Sequence, residues 1–65
     1  MTLKKNKLKE YREKHNFSQE CLADKVEVTR QTVISIEKGK YTPSLELALK
    51  FTKIFKCKVE DIFGL

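Results

Sequence analysis

Apolar residues recur along this chain at helical spacing, three and four apart, in segments separated by small polar residues. Over about residues 7–15, Leu8, Tyr11 and Arg12 share the inner side of a first helix. Asn16 ends it, being the non-glycine residue most tolerant of the left-handed conformation, and Phe17 then turns to the core. Leu22, Ala23 and Val26 mark a second helix over 19–26. It opens after Ser18, whose hydroxyl can accept from the free N–H groups of the first turn, and Glu20 suits the positive end of its dipole. A third helix, 30–38, follows the N-cap residue Thr29; Val33, Ile36 and Glu37 share one side, and Gln31, Ile34, Ser35 and Lys38 the other. Gly39 is the expected left-handed cap, and Lys40-Tyr41-Thr42-Pro43 a loop. Ser44 caps a fourth helix, 45–55, with Leu45, Ala48, Leu49, Thr52 and Phe55 as its buried stripe, Phe51 at the border and Leu47 outside. A short helix over 59–63 closes the chain, and residues 1–6 read as a frayed lead-in. The alternation over 56–59 is too short for a sheet. The pattern predicts an all-α fold of five short helices in a single domain, 1–65.

Only Glu27 and Val28 separate the second segment from Thr29 and the third, so the two helices must cross steeply, as a helix-turn-helix. Val33 and Ile36 would pack on Leu22, Ala23 and Val26, with small Ala23 allowing close approach. The outward face then carries an amide, a hydroxyl and an ammonium. Arg30 stands at the N-terminal end, where a helix in the major groove first meets base edges.

The residues Ser18-Gln19-Glu20, Leu22-Ala23, Val26, Val28 to Val33, Ile36-Glu37, Gly39-Lys40 and Pro43-Ser44-Leu45, continuing to Phe63, carry a specific resemblance. In order and spacing this stretch resembles the DNA-binding domain of the phage-repressor and Cro family, the Xre-type helix-turn-helix regulators. The resemblance implies a lambda-repressor-like fold and a small sequence-specific regulator of double-stranded DNA, expected to be a repressor. It also implies a homodimer on a palindromic operator, with recognition helices about 34 Å apart. It pairs Arg12 with Glu37, pinning the first helix to the end of the third, and puts Gln19 against a phosphate. Three positions depart from the family: Glu27 and Lys56 stand where glycine is usual, and Lys58 where a serine or threonine cap is usual.

For base reading, Arg30 matches the two acceptors of guanine and Gln31 the acceptor-donor pair of adenine, with phosphate as the alternative ligand of each. Ser35 matches a family reading position through water, and Thr32 a backbone or thymine-methyl contact. The phosphate candidates are Gln19, Thr29, Lys38, Lys40 and Tyr41, the tyrosine alternatively packing on the fourth helix. Lys5, Lys7 and Thr42 are weaker candidates. Ile34 reads as a scattered surface isoleucine. Ile62, Phe63 and Leu65 are the candidate dimer surface, with Leu47 or Cys57 added; of these, Ile62 is the one expected to turn inward.

Composition narrows the partners. Fourteen basic against nine acidic side chains leave +5, which favours a polyanion. With 40% hydrophobic and 35% charged residues the chain is a folded domain, and its small core makes self-association plausible. It has no membrane-spanning run and no signal-peptide pattern. Cys21 and Cys57 lack metal-ligand spacing and read as reduced thiols of a cytoplasmic protein. No cofactor, metal or small-molecule ligand is expected. An enzyme is not expected either, since His15 has no spacing that links it to either cysteine. The competing reading is a helical interaction module, an antitoxin or adaptor that keeps the fold without reading bases, with Ile34 and Leu47 as its apolar spots.

Overall fold

The computed structural model describes residues 6–63. Five helices follow in order, α1 (Leu8–Lys14), α2 (Gln19–Lys25), α3 (Arg30–Glu37), α4 (Leu45–Phe55) and α5 (Val59–Ile62), with no strand among the described residues. The all-α expectation holds. The starts of α2, α3 and α4 are fixed by the predicted caps: Ser18 Oγ accepts from the Cys21 N–H at 3.0 Å, Thr29 Oγ1 from Thr32 at 3.3 Å and Ser44 Oγ from Leu47 at 3.2 Å. At α5 lysine offers no side-chain acceptor. Asp61 in the first turn compensates, its Oδ2 accepting from the Lys58 N–H at 2.9 Å.

Asn6 corrects the expectation of a frayed lead-in as far as that residue. Its Oδ1 accepts from the Leu8 N–H at 3.1 Å and its Nδ2 donates to the Ile36 carbonyl at 2.8 Å, while the Lys7 N–H donates to the Ile62 carbonyl at 2.7 Å. The chain start is thereby tied to the ends of α3 and α5. The exposed backbone groups that local sequence leaves open are satisfied from far away in the chain.

Four helices end through a left-handed residue: Asn16 (φ 60°), Glu27 (φ 61°), Gly39 (φ 74°) and Lys56 (φ 52°). In each case the next residue's N–H turns back on the last helical turn, Phe17 to Arg12 O, Val28 to Ala23 O, Lys40 to Ser35 O and Cys57 to Thr52 O. Only one of the four is glycine. Glu27 and Lys56 hold a conformation that costs a residue with a Cβ about 1 kcal/mol.

The core is built from Leu8, Leu22, Ala23, Val26, Val33, Ile36, Leu47, Ala48, Phe51, Phe55, Ile62 and Phe63. Here α4 differs from its predicted stripe. Leu47 is 8% exposed, whereas Leu45 and Leu49 are 72% and 47% exposed. Leucines two apart lie nearly opposite on a helix, so the sequence offers two stripes. The bulky Phe51 and Phe55 select the one that contains Leu47 and Ala48. Ile62 turns inward as expected, and Phe63 corrects its place in the candidate dimer surface, because it too is fully buried. Phe63 packs its ring 6.3 Å from that of Phe51, closing the core where a partner was anticipated. Leu65 lies outside the described residues. Phe17 is half-buried at the rim rather than in the centre, beside His15 and Phe55 and under the Lys25 ammonium at 5.0 Å.

Replacing Lys56 by glycine removes the Cβ clash and is expected to stabilise the fold by about 1 kcal/mol, less what glycine adds to the freedom of the unfolded chain. Urea denaturation checks this, and a destabilised K56G would contradict it. A second expectation concerns alkaline pH. Partial burial, then the Asp61 carboxylate, raises the Cys57 thiol above its ordinary 9.0, and the same two causes lead in raising the Tyr11 phenol above 10.0. Both groups keep their protons in the fold at pH values where the unfolded chain has lost them, so stability falls as pH rises past the thiol's ordinary value. The urea midpoint should drop between about pH 8 and about pH 10, and less so in C57S. Equal drops in both proteins would show that the thiol contributes nothing.

Candidate nucleic-acid interface

Helix α3 is held by its back. Val33 and Ile36 are fully buried, and α3 packs more extensively on α2 than any other pair of helices in the protein packs. The Schellman-type turn at Glu27 and the Thr29 cap set the direction in which α3 leaves α2. Gln31 and Lys38 are exposed on the opposite edge, with Ile34 and Ser35 half-buried between them. At 100° per residue these four share one side with Arg30, which is also exposed.

The end of α3 is fixed by charge. Arg12 Nε donates to Glu37 Oε2 at 2.7 Å, and Arg12 Nη1 to the Phe17 carbonyl at 2.9 Å. Gln19 Nε2 donates to Glu37 Oε1 at 3.2 Å, and Arg12 Nη2 lies 3.4 Å from the same oxygen. The two ionic side chains keep only 11% and 6% of their surface. One carboxylate therefore joins α1, the start of α2 and the end of α3. Its negative charge is met inside the protein instead of facing outward beside the exposed edge of α3.

The model of the helix-turn-helix family matches residues 8–62, from the first residue of α1 to the last of α5. An uncharacterised HTH-type transcriptional regulator of Methanocaldococcus jannaschii is 64% identical over 91% of this chain and 89% of its own length. The regulator YgzD of Bacillus subtilis, likewise uncharacterised, is 59% identical over 94% of this chain and 92% of its own, and one of Archaeoglobus fulgidus is 51% identical over 91% and 83%. The chain belongs to the Xre-type helix-turn-helix family of transcriptional regulators.

In this helix-turn-helix protein the remaining site residues fall into two groups around α3. On one flank Arg30, Lys9, Arg12, Ser18, Gln19 and Glu20 line an open polar cleft between α1 and the starts of α2 and α3. Lys9 was not singled out by sequence; its exposed position one turn from Arg12 becomes meaningful only once the three helices are assembled. On the other flank Lys38 and Lys40 are exposed beyond the end of α3, with Tyr41 49% exposed in the following loop. Thr29 is exposed, but its hydroxyl is used by the cap and lies 3.0 Å from that of Thr32. Thr32 sits at the edge towards the turn, lining a hollow with Glu27, Val28 and Tyr41, and is half-buried. Gln19 is also half-buried, with one amide hydrogen committed to Glu37. Its backbone N–H and second amide hydrogen are what it can offer a phosphate.

Among the described residues no cluster of three or more His, Cys, Asp or Glu side chains could hold a metal ion, and no helix is long and apolar enough to cross a membrane. His15 Nδ1 lies 2.9 Å from the Tyr11 carbonyl and its ring 4.9 Å from Phe55, so it is part of the α1 terminus.

Removing one partner of a mostly buried ion pair leaves the other uncompensated. Arg12→Ala is therefore expected to cost roughly 3 kcal/mol, and a joint R12M/E37M change to recover more than half of that. Urea unfolding of the two variants checks this. A loss under about 1 kcal/mol for R12A would show a pair no stronger than one at the surface.

Proposed function

We propose that this protein binds double-stranded DNA sequence-specifically as a small cytoplasmic transcriptional regulator, acting as a repressor, with α3 in the major groove. The observation that carries the reading is the division of α3: an aliphatic back seated fully in the core, and an exposed edge of guanidinium, amide, hydroxyl and ammonium. Arg30 and Gln31 stand at the end of α3 that would enter first, where bidentate reading of guanine and adenine is available. Ser35 and Thr32 extend the reading surface. Gln19, Thr29, Lys38, Lys40 and Tyr41 flank it on both sides, as phosphate contacts that set register should. One such module reads few base pairs, so the protein acts as a homodimer on an inverted repeat. The relatives' names as HTH-type transcriptional regulators agree with this role. A catalytic role gains no support from the arrangement of His15, Cys21 and Cys57.

The adaptor reading loses one of its two apolar spots, since Leu47 is buried, and Ile34 is half-buried within the reading edge.

Selection of bound duplexes from a random pool tests the proposal, with an inverted repeat as the expected product. If the dimer neutralises roughly eight phosphates, log affinity should fall against log salt with a slope near −7. Arg30→Ala should relax preference at one or two positions, costing about 1–3 kcal/mol at the selected site. Lys38→Ala should weaken binding to all duplexes alike. Recovery of no consensus, or a flat salt response, would contradict the proposal.

A further inference from the structure

The outward edge of α3 carries one apolar side chain. Ile34 stands four residues after Arg30 and four before Lys38, with Gln31 three before it, and all three neighbours are exposed and polar. At about 100° per residue its direction falls between those of Arg30 and Lys38. Val33 and Ile36, on the other side of the helix, are the residues seated in the core. The half-buried apolar side chains packed on that core are Tyr11, Phe17, Val28, Ile54, Cys57 and Val59, and Ile34 is not among them. Core packing therefore does not call for an isoleucine here. Helix propensity does not either, because a β-branched side chain loses rotamer freedom inside a helix.

A surface isoleucine elsewhere would need no explanation. This one lies inside the surface proposed to enter the major groove, where the groups that go in lose their water. The base edges met there are arrays of hydrogen-bond donors and acceptors with one apolar feature, the C5-methyl of thymine. Against that methyl, Ile34 takes apolar surface out of water on both sides. Against the acceptors of guanine or the amine of cytosine it strips water and returns no hydrogen bond, so a polar group is left unsatisfied.

We infer that Ile34 is a specificity-determining residue, which selects thymine by its C5-methyl and rejects a G·C pair at the same position. The inference rests on the proposed binding of DNA through α3 and names the base feature that this side chain takes. Ile34 lies one turn beyond Arg30, about 6 Å along the helix. With base pairs about 3.4 Å apart, the thymine falls within about two pairs of the position that Arg30 reads. Thr32, the other methyl-bearing candidate, is directed about 160° away around the helix and meets a different part of the site.

Deoxyuridine, which pairs as thymine does but lacks the methyl, is the probe. In a duplex selected by the wild type, thymines are replaced by deoxyuridine one at a time and affinity is read by fluorescence anisotropy. One thymine in each half-site should show a loss of roughly fourfold, the worth of one buried methyl group. Ile34→Ala should bind the thymine duplex more weakly and be indifferent to that same replacement, with the helical circular dichroism unchanged. Ile34→Val should keep part of the sensitivity, and Thr32→Ser all of it. Selection with I34A should lose the preference at that position and keep the one that R30A loses. A consensus with no thymine within reach of Ile34, or with thymines all insensitive to deoxyuridine, overturns the inference and leaves DNA binding by α3 in place. So does a sensitive thymine to which I34A responds as strongly as the wild type. A wild type that selects no consensus contradicts the proposed function first, and this inference with it.

Discussion

Glu37 is the constraint on which the arrangement turns. A carboxylate at the end of a helix proposed to approach a polyanion is unfavourable twice, through repulsion and through the negative end of the helix dipole. The fold meets both by drawing Glu37 inward, where Arg12 and Gln19 hold its two oxygens. The same contacts fasten α1 and the start of α2 to the end of α3. With Val33 and Ile36 seated behind, α3 has its rotation fixed, and the outward direction of Gln31 and Lys38 follows from packing.

The local signals were legible from the residues alone. Ser18, Thr29 and Ser44 cap the helices they were expected to cap, because an N-cap needs only a hydroxyl three residues before a free N–H. The Arg12–Glu37 contact followed from the family resemblance and not from spacing. Leu47 was misjudged because Leu45, Leu47 and Leu49 give α4 two apolar stripes of similar strength. The choice depends on where Phe51 and Phe55 find room, which only the assembled core decides. Asn6 was missed for a related reason: its acceptor, the Ile36 carbonyl, is thirty positions away along the chain. Gln19 was read as a phosphate ligand alone, since its bond to Glu37 requires α2 and α3 already in place.

These misreadings are connected. Turning α4 so that Leu47, Phe51 and Phe55 enter the core moves Leu45 and Leu49 to the surface, while α5 closes the core with Ile62 and Phe63. The exposed apolar side chains Leu45 and Leu49 then sit on α4, next to the loop that follows α3. The two outward surfaces of the protein thus have different chemistry. The edge of α3 is polar and cationic, suited to a wet, charged groove, and the side of α4 carries the exposed Leu45 and Leu49. Strained caps at Glu27 and Lys56 lower stability by a small amount, and the ion-paired Glu37 keeps the geometry of α3 despite them.

The account claims above all that the outward edge of α3 is what meets DNA. Amide and side-chain NMR shifts on titrating in a selected duplex test that claim most directly. The largest changes are expected at Arg30, Gln31, Ser35 and Lys38 and at the first turn of α2, with Val33 and Ile36 keeping their buried environment. Changes concentrated on α1 or α5 instead, with Gln31 and Ser35 unmoved, would contradict it.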